Sequence, residues 1–81
     1  MLAVILKIEE IYVPVERRKE LDLQSVESVA EEIMEEAEEQ PILVRQGKDR
    51  YVLVKGVHRL EARKALGEET IQAFIVNARR H

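Results

Sequence analysis

Apolar and polar positions change period several times along the chain, and each change marks an element. The opening AVILKIEEIYV alternates over short stretches and is rich in β-branched residues, which predicts a strand over Val4 to Ile8 and an extended piece over Ile11 to Val13. Pro14 closes it. VERRKELD, next in the chain, has no clear period and reads as a charged loop leading to a capping residue, either Asp22 or Ser25. From there Val26, Val29, Ala30, Ile33, Met34 and Ala37 recur at spacings of three and four, the stripe of an amphipathic helix whose glutamates take the wet side.

Two short apolar runs, Ile42 to Arg45 and Tyr51 to Lys55, then flank the turn-forming QGKD and predict an antiparallel hairpin. Pro41 suits the first residue of a strand, where a missing N–H does little harm. A second helix is expected over roughly His58 to Leu66, with Gly67 as its left-handed stop, and ETIQAFIV alternates again as a last strand before the polar NARRH. The order β-(β)-α-β-β-α-β describes one domain over residues 1–81, of the α+β class, with a small mixed sheet and two main helices.

One detail of the second helix is unusual. At 100° per residue Ala62, Ala65 and Leu66 share a face, and His58 and Arg59 fall on or beside it, so both side chains are expected to point inward, toward the sheet. A strand ending at Lys55, a single Gly56 and a helix beginning at Val57 or His58 leave free backbone N–H groups at the positive end of a helix dipole. Arg59 adds a planar fork that holds two phosphate oxygens at once. The same geometry also suits a plain structural role, with His58 on a backbone group and Arg59 paired to a glutamate of the first helix. Neither a G-x-G-x-x-G turn nor a Walker sequence is present.

Composition narrows the choice. With 81 residues, of which 46% are apolar and 36% charged, the core is barely self-sufficient, and a homodimer is an expected state. The absence of cysteine excludes disulfides, thiolate zinc sites and cysteine nucleophiles, and no residues are assigned to a resident metal. No apolar run approaches the roughly 18 residues of a membrane span, which leads us to expect a soluble, cytoplasmic protein with no membrane partner. A net charge of −3 argues against a general nucleic-acid binder. Charge is nonetheless uneven: seven glutamates lie between Glu27 and Glu39, whereas Arg45, Lys48, Arg50, Lys55, Arg59, Arg63 and Lys64 give the second half a basic bias.

GVHRLEA followed by LGEETIQAFIV, and preceded by EEQPILVR and VPVERRKELDLQSVESVAEEI, resembles the ParB/sulfiredoxin superfamily along nearly the whole chain. Gly56, Arg59 and Ala62 match the GxxRxxA phosphate motif of ParB-type domains. Gly56, His58 and Arg59 match the Gly-Cys-His-Arg turn of sulfiredoxins, with Val57 where the cysteine stands. The resemblance implies a nucleotide-binding domain in which Gly56, Val57, His58 and Arg59 cradle phosphates and Arg17 assists from an opposite loop. ATP is the first candidate among nucleoside di- and triphosphates, with Mg2+ as a candidate companion. A serine or threonine near the end of the first helix helps hold the phosphates in relatives; here Glu32 occupies that place, as a candidate catalytic base or metal-bridging carboxylate.

The implied functions are therefore nucleotide binding with phosphotransfer or nucleotidase activity, or else a DNA-associated module, or a scaffold, natural or engineered, that keeps the turn without a ligand. The stretch carries neither a second phosphate motif nor a helix-turn-helix, so DNA clamping does not follow from the resemblance. Sulfinic acid reduction does not follow either, because that reaction proceeds through the thiol that Val57 lacks. Incubated with a sulfinylated peroxiredoxin and ATP, the protein should leave the sulfinic acid intact by mass spectrometry. Any reduction above the protein-free control would overturn that argument.

Overall fold

The computed structural model describes residues 2–35 and 40–76. Five strands form one mixed sheet: β1 (Val4–Lys7), β2 (Ile11–Tyr12), β3 (Ile42–Gln46), β4 (Tyr51–Lys55) and β5 (Thr70–Val76). Their spatial order is β1-β5-β3-β4-β2. The β1/β5 and β3/β4 pairs are antiparallel, whereas β3/β5 and β2/β4 are parallel. Three helices complete the chain: α1 (Val15–Arg18), α2 (Leu23–Met34) and α3 (Val57–Ala65). The α+β class and mixed sheet agree with the sequence pattern.

Two segments differ from expectation. VERRKELD is not a loop throughout, since Pro14 presets the backbone and accepts the N–H groups of Arg17 and Arg18 at 2.9 and 3.0 Å, making α1 a single helical turn. Ile8 leaves the first strand and opens a 3-10 turn over Ile8–Glu10, with its N–H bonded to the Glu69 carbonyl. Of the two capping candidates, Asp22 caps α2, accepting from the Gln24 N–H at 3.4 Å and the Ser25 hydroxyl at 2.8 Å. The expected stripe residue Ala37 lies outside the described residues.

The core lies between one face of the sheet and the helices. Val44 and Ala73 are fully buried on the central strands, with Ile42, Leu53 and Ile71 around them. From α3 come Val57 and Leu60, while Ala62, also without exposure, lies outside that cluster. Alternation along β3 and β5 explains why every second residue is buried. A Schellman ending closes α3, in which Gly67 (φ 81°) and Glu68 donate to the carbonyls of Lys64 and Arg63.

Gly56 is held by two independent constraints. Its φ of 113° is disfavoured for any side chain, and an added Cβ would lie 2.6 Å from Ile42 Cγ2 and 3.0 Å from Ile42 Cβ. Gly67 has positive φ but open space around it. Gly56→Ala should therefore cost about 2–4 kcal/mol in urea unfolding, combining backbone strain with overpacking against a core isoleucine. Gly67→Ala should cost about 1 kcal/mol, from strain alone. Equal costs would show that contact with Ile42 is unimportant.

Candidate functional site

The β4–α3 junction has no spare residue. Lys55 ends the strand, Gly56 turns left-handed, and Val57 is already helical. The first intrahelical bond runs from the Leu60 N–H to the Gly56 carbonyl at 2.9 Å, so the amides of Val57, His58 and Arg59 lie ahead of the helical ladder. Gly56 supplies no side-chain cap for them. Three donors and the positive end of the dipole thus converge on one turn.

His58 and Arg59 do not point toward the sheet as helical periodicity suggested. Val57 and Leu60 take the sheet side, and Ala65 is exposed rather than buried. The face carrying His58 and Arg59 is turned toward α2 and the loop before it. The cause is a second packing partner: α3 lies between the sheet and α2, which gives it two buried faces rather than one.

Each of the two side chains has a partner there. The Asp22 N–H donates to His58 Nε2 at 3.0 Å, which requires a lone pair on Nε2 and leaves the proton on Nδ1. Arg59 is 13% exposed, and its Nη2 lies 3.7 Å from Oε2 of Glu32 on α2. Glu32 is 56% exposed, so this is a loose, solvent-screened pair rather than a buried ion pair. Arg17 reaches the same junction from α1, donating from Nη1 to the Val54 carbonyl at 3.4 Å while pairing with Glu20 at 3.2 Å.

All six sequence-predicted residues therefore gather near the start of α3: Gly56, Val57, His58 and Arg59 along the chain, Arg17 through Val54, and Glu32 through Arg59. Asp22 belongs with them and had been read only as a cap. Its backbone N–H serves His58 while its carboxylate serves α2, a double use that no sequence spacing announces. The Ser25 hydroxyl, then the amides of Gln24 and Ser25, hold the Asp22 carboxyl below the usual carboxylate range, against some desolvation. Among the described residues no cluster of three His, Asp or Glu side chains is placed to hold a metal ion. A cleft of about 480 Å³ lies at the other end of α3, lined by Glu9, Glu68 and Glu69 together with Lys7 and Lys64.

The family model of the ParB N-terminal domain matches residues 3–81. The chain belongs to this family. A probable chromosome-partitioning protein ParB of Campylobacter jejuni is 38% identical over 64 residues, which are 79% of this chain and 23% of that protein. The chain thus spans about a quarter of the length of that curated relative. Among solved structures, sulfiredoxin from Arabidopsis thaliana aligns with a TM-score of 0.83 at 29% identity, covering 96% of this chain and 88% of that one. C-terminally truncated ParB from Caulobacter crescentus, complexed with CTP-gamma-S, aligns with a TM-score of 0.78 at 24% identity over 98% of this chain and 46% of that one. A free serine kinase (E30A mutant) in complex with ADP aligns at 0.77 and 20% identity over 91% and 30% of the two chains. The resemblance to the ParB/sulfiredoxin superfamily read from the sequence is borne out. The last two likenesses extend to the fold.

The depressed Asp22 carboxyl gives a signed pH dependence. Its folded value lies below its unfolded one, so its contribution is complete above the unfolded carboxylate range and is lost as pH falls through the folded value. Asp22→Asn keeps a capping side chain but cannot titrate, and should flatten that acid limb in thermal melts taken from pH 6 downward. An unchanged acid limb would show that Asp22 does not contribute to it.

Proposed function

We propose that the domain binds a nucleoside di- or triphosphate, with ATP the first candidate, through the turn at the start of α3. The observation that carries this reading is the set of Val57, His58 and Arg59 amides left ahead of the helical ladder at one left-handed glycine turn, with Arg59 in the first turn of the same helix. Anions bind at such helix starts because amides and dipole act together. Support also comes from the CTP-gamma-S and ADP complexes of structural neighbours. His58 Nδ1–H is the ring edge left to donate, since Nε2 is engaged by Asp22. Arg17 adds positive charge from the α1 side.

Glu32 sets the terms of binding. Its carboxylate already faces Arg59 at 3.7 Å, so an entering phosphate competes with it for the guanidinium. A Mg2+ ion would relieve that repulsion, because magnesium in nucleotide sites takes one or two carboxylates together with the substrate phosphates. Glu32 is the carboxylate available for that purpose. The same placement favours a second reading, phosphotransfer to a hydroxyl with Glu32 as general base. A homodimer in the cytoplasm is the setting we propose for either reading.

Removal of Arg59 separates a phosphate site from a structural helix contact. Arg59→Ala should weaken nucleotide binding by roughly 1.5–3 kcal/mol in calorimetry with magnesium at low salt. Unfolding stability should fall by no more than about 1 kcal/mol through the ion pair, because its partner Glu32 is largely exposed. Arg59→Lys should recover only part of the binding, having charge without the fork. Undiminished affinity in Arg59→Ala would end this reading.

A further inference from the structure

The five strands contain no aspartate or glutamate, in a chain whose net charge is −3. Their cations are Lys7, Arg45 and Lys55, and all three are exposed. The pairing registers put Arg45 and Lys55 on the sheet face opposite the core. Val44 and Ala73, fully buried, face the helices, so their neighbours Leu43, Arg45 and Phe74 face away.

Two cross-strand rows result. Lys55, Leu43 and Phe74 are aligned in one, and Tyr12, Val52, Arg45 and Val76 in the next, with Val52 buried beneath its neighbours. The rows lie roughly 7 Å apart along the strands, and neighbouring positions within a row lie about 5 Å apart. Arg50 lies over the Tyr12 ring, 3.9 Å from its centroid, and brings a third cation to the edge of the second row. Among the described residues, Arg45, Arg50 and Lys55 have no carboxylate within 4.0 Å. Asp49, in the β3–β4 turn, is the acid closest to them in sequence, whereas Glu9, Glu10 and Glu69 sit near Lys7.

We propose that this open face, with Arg45, Lys55 and Arg50 set around Phe74, Tyr12 and Leu43, binds single-stranded nucleic acid. Charge complementarity selects a polyanion, and the acidic balance of the whole chain does not oppose it because the strands themselves carry no carboxylate. Phe74 and the aliphatic rows offer an apolar surface to bases, and the Arg50 guanidinium held over the Tyr12 ring offers a second plane for stacking, while Arg45 and Lys55 hold the backbone. The sheet face carries no helix or projecting ribbon to enter a duplex groove, so double-stranded DNA is the poorer ligand. The site is separate from the turn at Gly56 and does not depend on nucleotide binding there.

Fluorescence anisotropy with labelled dT12, the matching duplex and poly-glutamate tests the proposal on the full chain. Binding should be tightest for dT12 at low salt. Arg45→Glu with Lys55→Glu should weaken it roughly tenfold or more, and should lower the salt slope by about 0.7 for each phosphate contact removed. Tyr12→Leu should weaken dT12 but not poly-glutamate, whereas Arg59→Ala should leave dT12 binding unchanged. Should the double charge reversal fail to fold by circular dichroism, Arg45→Gln with Lys55→Gln takes its place. Absence of dT12 binding, equal or tighter binding of duplex or poly-glutamate, or full binding by the charge variants would overturn the proposal.

Discussion

The close approach of the Gly56 backbone to Ile42 is the constraint on which the arrangement of this domain rests. A chain that must leave β4 and enter α3 within one residue has to turn sharply, and here it turns directly against the side chain of the neighbouring strand. Only a residue without a Cβ fits, and only such a residue adopts φ of 113° without strain. Because the turn is this tight, Val57 and Leu60 reach the core at once and the first amides of α3 are left at the strand ends. The packing requirement and the open amides at the start of α3 are consequences of the same missing methyl group.

Around that turn polar contacts also tie the two helices together. Asp22 caps α2 with its side chain and serves His58 of α3 with its backbone N–H, so the starts of both helices are tied to one residue. Glu32 on α2 and Arg59 on α3 form a looser second tie. Neither tie contributes much stability, because the Asp22 and Glu32 partners are exposed, but together they fix which way the imidazole and guanidinium point. Orientation rather than stability is what a phosphate site needs from its surroundings.

The sheet divides the molecule into two chemical sides. Its inner face is a continuous aliphatic layer under the helices, while its outer face mixes cations, two rings and aliphatic side chains without a carboxylate on any strand. None of the described acidic residues lies on a strand. Net charge therefore describes the whole molecule poorly, and the sign of the local field depends on which side a ligand approaches.

The sequence by itself determined the elements whose signal is local. The amphipathic stripe from Val26 to Ile33, the hairpin around QGKD and the alternation in ETIQAFIV each report a periodicity that the backbone must obey, whereas Met34, expected on the same stripe, is exposed. Gly56, His58 and Arg59 were legible for the same reason, since strand, glycine and helix start are consecutive. Tertiary structure alone decided what depends on residues far apart. The direction of His58 and Arg59 was misread because periodicity finds one apolar face, and α3 is packed on two, against the sheet and against α2. The helical turn at Val15–Arg18 was hidden because four residues are too few to show a period. The basic outer face appears only once the registers align Lys55 with Leu43 and Phe74, and Tyr12 with Val52 and Arg45, because strand pairing is a long-range choice that no single strand encodes.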